Sequence, residues 1–169
     1  HKALLEMEPR IERNQISSEG TIVTVIPARC ATGGDARLLR RCIDALVQQE
    51  AHVIAVDDGS ATWPDLPPEV HILRHTTSLG PAAARNTGTR RALELGASLV
   101  LFTDSDCIPT QDWVEQAKHG FIENPYIHVQ SGNTSSAGAT WFDTYHNING
   151  TLNGRRFKGS DALFYGPTC

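Results

Sequence analysis

The sequence contains 169 residues, 40% of them hydrophobic and 20% charged, with a formal net charge of −4 at pH 7. This length is enough for one domain with a real core, and the negative charge argues against a protein that binds nucleic acid through a basic surface. No apolar run approaches the roughly 18 residues of a membrane span. We therefore expect neither a nucleic-acid partner nor a membrane segment in this chain.

The first half of the chain predicts a polar leader followed by strands and a helix. Residues 1–20 are mostly polar and end in a turn-forming Ser-Ser-Glu-Gly stretch. A β-branched run predicts a strand over 21–26 that stops at Pro27. Residues 35–49 place apolar side chains at helical spacing. Further strands are predicted over 52–56 and 70–74.

The second half continues the alternation of helices and strands. Gly80-Pro81 predicts the start of a helix and Gly96 its end, because proline suits the first helical turn and glycine the residue after the last. Later elements are a strand over 97–103, a helix over 110–121 capped by Thr110, and a short strand over 127–130.

This alternation predicts an α/β fold, a mostly parallel sheet with helices on both faces. In such sheets ligands bind beyond the carboxyl ends of the strands. Three polar stretches follow predicted strands and should meet at that edge: 27–29, 57–60 and 104–106. The convergence predicts a binding site there.

The last of these stretches holds two carboxylates, Asp104 and Asp106, one residue apart. Hard divalent cations such as Mg²⁺ and Mn²⁺ prefer oxygen ligands, and magnesium often combines one or two carboxylates with substrate phosphates. For an isolated Asp-x-Asp, a solvated turn is the commoner explanation. The position after a buried strand favours the metal site.

Two other pairs of polar residues are candidates for nucleotide contacts. Asp57 and Asp58 could accept hydrogen bonds from a base or a ribose, or could simply form a turn before Gly59. Arg85 and Asn86 lie in the first turns of the helix that begins near Pro81, where a helix N-terminus favours anions. The alternative for Arg85 is an ordinary surface arginine.

Several nucleotide and nucleophile motifs are missing from the sequence. There is no G-x-G-x-x-G after the first strand, no G-x-x-x-x-G-K-[ST] and no G-x-S-x-G. Hydride transfer on a dinucleotide, P-loop chemistry and serine hydrolysis are therefore disfavoured.

The ordered stretches TVIPAR, HVIAVDDGS, SLGPAAARNTG and LVLFTDSDCIP resemble the family 2 glycosyltransferases, which have the Rossmann-like GT-A fold. The resemblance covers about residues 21–113 and continues more weakly to the end. It implies an enzyme that transfers a sugar from a nucleotide-diphosphate sugar to an acceptor, with inversion. The acceptor class, whether saccharide, lipid or small molecule, stays open.

The resemblance also implies roles for single residues in donor binding. Pro27, Ala28 and Arg29 would line the nucleotide pocket. Asp58 would accept from the base, with Asp57 beside it. The residues near the diphosphate would be Gly80, Arg85 and Asn86.

The Asp-x-Asp stretch would join the donor to a divalent cation, Mn²⁺ or Mg²⁺. Asp104 would contact the ribose or sugar and assist the metal, Asp106 would be the direct metal ligand, and Ser105 between them would belong to the donor site. The donor implied is a UDP- or GDP-sugar. The catalytic base of the family is an acidic residue that we expect beyond Cys169.

Two departures from the family pattern concern base and sugar preference. Arg29 and Cys30 stand where tyrosine and asparagine are common, and 61–63 lack a frequent aspartate. We expect residues 21–130 to form the donor-binding domain and 131–169 to begin an incomplete acceptor-side region.

The sequence leaves two alternative functions open and also predicts where the protein is located in the cell. A non-catalytic nucleotide- or sugar-binding fragment would share the same pocket. An aspartate-dependent phosphotransferase is less favoured, because its Asp-x-Asp follows the first strand and here the pair follows the fourth predicted strand. A charged N-terminal stretch and four cysteines read as free thiols predict a cytoplasmic protein, or one held at a membrane by parts outside this sequence.

Overall fold

The structure is a computed structural model that describes residues 13, 14 and 16–149. Most of the expected leader, and the end of the expected acceptor-side region, lie outside these residues. No helix in the described part of the chain is long and apolar enough to cross a membrane.

Within these residues four parallel strands form one sheet in the order β3-β2-β1-β4. The strands are β1 Ile22–Ala28, β2 His52–Asp58, β3 His71–His75 and β4 Leu99–Phe102. The helices are α1 Gly33–Leu46, α2 Pro81–Glu94, α3 Trp113–Glu123 and α4 Trp141–Asn149. The expected α/β fold with a parallel sheet is confirmed.

Helices cover both faces of the sheet, as expected. On one face α1 and α3 pack against the sheet in a core that includes Leu39, Ile43 and Phe121. On the other face α2 packs through Ala84 and Ala92 against valines and isoleucine of β1 and β2. Each strand of this central pair is therefore buried on both sides, which explains its continuous apolar sequence.

The strand order reverses at β1. The chain moves outward from β1 to β2 and β3, and then returns through α2 to place β4 on the free side of β1. Such a reversal leaves a crevice beyond the carboxyl ends of the two strands, here β1 and β4.

β1 and β2 each end two residues later than predicted. β1 continues through Pro27, because the Thr103 N–H donates to the Val25 carbonyl and the nitrogen of Pro27, two residues on, faces the side where β4 has already ended. β2 includes Asp57 and Asp58, because β3 runs alongside and pairs with both. The two aspartates consequently point to opposite faces of the sheet.

Some other predicted features are wrong. Residues 127–130 form no strand, and α4 was not predicted. The N-cap of α3 is Asp112, not Thr110. Cys30 and Cys42 are free thiols, but Cys107 is disulfide-bonded, so the expectation of four free thiols does not hold for it.

Gly88 lets α2 lie directly on the sheet. A Cβ atom at this position would lie 2.3 Å from Cγ1 of Val25 and 3.2 Å from Cγ2 of Val56. Both valines are fully buried in the middle of the sheet, and β-branched side chains have little rotamer freedom. The contact therefore leaves no room for any side chain.

We expect Gly88→Ala to lower the free energy of unfolding by about 2 kcal/mol, because overpacking outweighs the gain in helix propensity. Urea denaturation followed by circular dichroism measures the change. Gly33→Ala is the matched control, because a Cβ there meets only the flexible Arg37 side chain, at 3.7 Å. A Gly88→Ala protein as stable as the wild type would contradict the close packing.

Candidate active site

An open cleft of about 470 Å³ lies at the carboxyl edge of the sheet, where β1 and β4 end. The first turns of α1 and α2 form its walls. Its lining residues come from four separate parts of the chain: Pro27, Arg29, Asp35, Leu38, Pro81, Arg85, Asp104, Ser105 and Asp106. The cleft thus occupies the switch point of the sheet.

The loop after β1 is tied to the loop after β2. The Cys30 N–H donates to Ser60 Oγ (2.7 Å), and the Cys30 carbonyl accepts from the N–H groups of Ala61 and Thr62. The Ser60 N–H in turn donates to Oδ1 of Asp57 (2.8 Å). These bonds fix the backbone that directly follows Arg29, which lines the cleft.

The N-terminus of α1 is capped by its own side chains. Thr32 is the N-cap residue, and Oδ2 of Asp35 accepts from the N–H groups of Thr32 (2.8 Å) and Ala31 (3.0 Å). The bonds from Thr32 lower the pKa of the Asp35 carboxyl. The Asp35 carboxylate therefore already occupies the N-terminus of α1, on the side of the helix that lines the cleft.

The N-terminus of α2 is different. Its N-cap residue is Gly80, which has no side chain to cap the first turn, and Pro81 follows. Gly80 has a φ of 92°, in the left-handed region that favours glycine. Asp58 accepts from the amides of Leu79 and Gly80 that lead into α2, as Asp35 does at α1. The difference is that the N-cap Thr32 gives the first turn of α1 a side-chain bond and the N-cap Gly80 gives α2 none. Of the two helix ends at the cleft, α2 is therefore the better suited to an anion from outside the chain.

Arg85 and Asp104 form an ion pair across the cleft, with Nη2 2.5 Å from Oδ1. Both side chains are partly buried. Burial raises the pKa of the Asp104 carboxyl, Arg85 opposes this effect, and the nearby charge of Asp106 adds to it. The site thus holds two carboxylates close together, and one of them, Asp104, is paired with Arg85.

Asp106 lies on the open side of the pair. It is exposed, and none of the hydrogen bonds or ion pairs between described residues involves its carboxylate. Described residues supply no group of three histidine, cysteine or acidic side chains that could hold a metal ion. Two carboxylates nevertheless fit a magnesium-type ion, which takes its remaining ligands from water and phosphate.

Asp57 is buried and does not line the cleft. Besides the Ser60 amide, its Oδ2 accepts from Nε of Arg74 (2.7 Å). Arg74 is mostly exposed and lies over the ring of Trp63, 6.0 Å from its centroid. The carboxylate therefore holds the loop after β2 against the end of β3.

Asp58, on the opposite face, is saturated by the loop that precedes α2. In the described chain its Oδ1 accepts from the Leu79 N–H (2.8 Å) and bonds Nδ1 of His75 (2.8 Å). Its Oδ2 accepts from Ser78 Oγ (2.7 Å) and the Gly80 N–H (2.9 Å). Four bonds fill the acceptor capacity of a carboxylate. Burial alone would raise the pKa of Asp58, but these bonds outweigh it and the pKa lies well below its usual range.

The cleft gathers about half of the residues predicted for the donor site. It includes Pro27, Arg29, Arg85, Asp104, Ser105 and Asp106. Ala28 is buried in the core, Asn86 is exposed on α2, and Asp57, Asp58 and Gly80 do not line the cleft. A base contact by Asp58 stays a prediction, and it would have to displace one of the four bonds.

Three lining residues were missed by sequence reasoning: Asp35, Leu38 and Pro81. A usable signal existed for the first, since a threonine followed three residues later by an acidic residue is a capping pattern. It places the start of α1 directly after the first strand, and therefore beside the cleft.

Fold and cleft together define an α/β domain with charged groups of both signs at the switch point of a parallel sheet. Residues 24–169 match the family described as Glycosyl transferase family 2. The chain belongs to this family, which confirms the resemblance noted in its motifs. Membership also disfavours the aspartate-dependent phosphotransferase.

Known relatives include the pre-mycofactocin glycosyltransferase of two Mycobacterium tuberculosis strains, CDC 1551 / Oshkosh and ATCC 25618 / H37Rv. The chain is 36% identical to each over 112 residues, which cover 63% of this chain and 22% of the relative. It therefore spans about a fifth of the length of these relatives. Among solved structures, S. aureus TarS 1-349 aligns with a TM-score of 0.49 and 20% identity, covering 72% of this chain and 39% of TarS.

We expect Asp58→Asn to lower the free energy of unfolding by about 2–3 kcal/mol at neutral pH, because the amide cannot accept from all four donors. Since the folded pKa of Asp58 is lowered, its stabilisation is complete above the unfolded value of about 4 and is lost as pH falls through the folded value. The difference between wild type and variant should therefore be constant near neutral pH and shrink progressively as the pH falls below about 4.

Urea titrations from neutral pH downward measure this difference. Asp44→Asn is the control, because Asp44 is half exposed and its ion pair among the described residues is with Arg40 on the surface of α1, so a change below about 0.5 kcal/mol is expected. A difference for Asp58→Asn that is absent at neutral pH would contradict the saturated carboxylate.

Proposed function

We propose that this chain is the donor-binding part of a glycosyltransferase that transfers a sugar from a nucleotide-diphosphate sugar to an acceptor, with inversion and with the help of a divalent cation. The observation that carries the proposal is the cleft itself. It brings Arg29, Arg85, two carboxylates and an uncapped helix end to one switch point. Family membership supports the reaction class.

The diphosphate of the donor would bind at the α2 side of the cleft. Two features favour that side over α1. The N-cap Gly80 leaves the first turn of α2 without a side-chain cap, and Arg85 projects into the cleft from the next turn. Arginine matches phosphate through its planar set of donors. At α1, by contrast, Asp35 presents a negative charge.

Asp104 and Asp106 would hold the cation. Their oxygens are hard ligands, and Asp106 points to the open cleft. A bound Mn²⁺ or Mg²⁺ would supply charge neutralisation for the departing nucleoside diphosphate. Arg85 and Asp104, which now pair with each other, each have a partner of opposite sign in such a ligand.

In the transfer itself, the acceptor hydroxyl oxygen would form a bond to the anomeric carbon while the bond from that carbon to the phosphate oxygen breaks. Attack on the side opposite the leaving group inverts the anomeric centre. The hydroxyl proton passes to a general base. The residues of this chain contribute by holding the leaving group in line.

Calorimetric titration with UDP, GDP and their common sugar conjugates, first with Mn²⁺ and then with EDTA, tests the proposal. Metal-dependent binding of one nucleotide supports the donor site and identifies the base. Turnover of a bound donor by this chain would exclude the non-catalytic alternative, a nucleotide- or sugar-binding fragment. No binding under either condition would contradict the proposal.

We expect Asp106→Ala to weaken nucleotide binding in the presence of Mn²⁺ by at least about tenfold, and to leave binding in EDTA unchanged, because the carboxylate acts through the cation. Asp44→Ala is the control, since it removes an exposed carboxylate far from the cleft. Equal affinity of wild type and Asp106→Ala in Mn²⁺ would remove Asp106 from the metal site.

We expect Arg85→Ala to weaken binding of the nucleoside diphosphate by about tenfold or more, with little effect on the bare nucleoside, because a charge-assisted bond to phosphate is lost. Titrations in EDTA isolate this effect from the cation. Arg91→Ala is the control on the same helix, because Arg91 pairs with Glu94 outside the cleft. An unchanged preference for the diphosphate would make Arg85 only a partner of Asp104.

A further inference from the structure

His75 lies at the end of β3, behind the cleft wall, and connects two parts of the chain. Its Nδ1 lies 2.8 Å from Oδ1 of Asp58, and its Nε2 lies 3.0 Å from Oγ1 of Thr87 on α2. The histidine and aspartate side chains are only 11% and 5% exposed. Arg90 adds a bond from Nη2 to Thr87 Oγ1 (3.1 Å).

The partners of His75 indicate how its ring is protonated. The ionised Asp58 can only accept, so Nδ1 must carry a proton. In the neutral ring Nε2 then accepts from the Thr87 hydroxyl, whose oxygen accepts from Arg90. Every donor in this series therefore meets an acceptor. The imidazole bonds Asp58 with one ring nitrogen and Thr87 with the other, and a leucine of similar volume could make neither bond.

The bridge reaches the cleft through the loop 78–80. Asp58 binds the last two backbone amides of this loop before α2, at Leu79 and Gly80. Pro81, the next residue, and Arg85 line the cleft. His75 thus braces Asp58 on one side and α2 on the other, at the helix end that faces the ligand.

Thr87 and Arg85 lie on opposite sides of the buried stripe of α2. That stripe consists of Ala84, Gly88 and Ala92, and a helical step of 100° puts Arg85 and Thr87 on its two flanks. Arg85 reaches the end of β4 at Asp104, while Thr87 reaches the end of β3. A movement of α2 that changes the contact of Arg85 with Asp104 must therefore also change the contact of Thr87 with His75.

We propose that His75 is a positioning residue of the donor site: through Asp58 and Thr87 it holds the loop 78–80 and the first turns of α2 in the place where they meet the diphosphate. The inference rests on the proposed function, and it assigns His75 no contact with the ligand. A nucleoside diphosphate should depend on this bracing more than a bare nucleoside, because only the diphosphate carries the phosphates that are proposed to lie at the α2 helix end.

The test compares His75→Leu, which removes both bonds at similar volume, with His75→Asn, whose amide can still donate to Asp58. His71→Leu is the control at the other end of β3. Two quantities are measured: amide hydrogen exchange at Leu79 and Gly80, and the affinities for UDP, GDP and the corresponding nucleosides in Mn²⁺.

For His75→Leu we expect exchange at these two amides to accelerate about tenfold relative to the sheet, and the diphosphate affinity to fall about tenfold with the nucleoside affinity unchanged. His75→Asn should recover part of both. Unchanged exchange and affinity in His75→Leu, equal losses in His75→Asn, or a uniform rise in exchange across the chain would each overturn the inference.

The two proposals can fail separately. If the wild type binds neither nucleotide, the donor-site function fails, and the exchange rates alone then decide whether His75 holds the loop. If the wild type binds a nucleotide and His75→Leu binds it equally well, the function stands and the positioning role is wrong.

Discussion

The close contact between α2 and the sheet is the constraint on which the rest of the site depends. Gly88 lies where any side chain would collide with Val25 of β1, and it also faces Val56 of β2. The helix is therefore seated over the two central strands at a fixed depth. Because a buried contact of this kind is close-packed, it sets the height of every side chain that α2 presents at the carboxyl edge.

Lateral position is set by polar contacts, since an apolar stripe alone allows a helix to slide or roll. Arg85 meets Asp104 beyond β4, and Thr87 meets His75 at the end of β3. These two contacts span the sheet from one edge strand to the other. The depth of α2 is thus a packing property and its rotation an electrostatic one, so the two can be perturbed independently.

The sequence predicted the parts of this arrangement that depend on local patterns. The β-branched run of β1, the Gly80-Pro81 start of α2 and the alternation of elements are short-range signals, and all indicated the sheet and its edge. Contacts of Asp58 were not predictable, because its partners lie 17 to 22 residues away and meet it only after β3 pairs with β2. The same pairing extended β2 through both aspartates, which a turn-forming Asp-Asp-Gly-Ser sequence concealed.

The electrostatics of the cleft distinguish Asp104 from a carboxylate in water. Burial and the neighbouring charge of Asp106 both raise the pKa of Asp104, although Asp106 itself is exposed. Arg85 relieves this repulsion for one carboxylate only. If a phosphate bound Arg85, the positive charge of Arg85 would be divided between the phosphate and Asp104. The two carboxylates would then need another cation to offset their repulsion. We therefore expect the proposed anion at α2 and the proposed divalent cation at the aspartates to bind cooperatively. The cation offsets the repulsion between Asp104 and Asp106 that increases when the anion takes up Arg85.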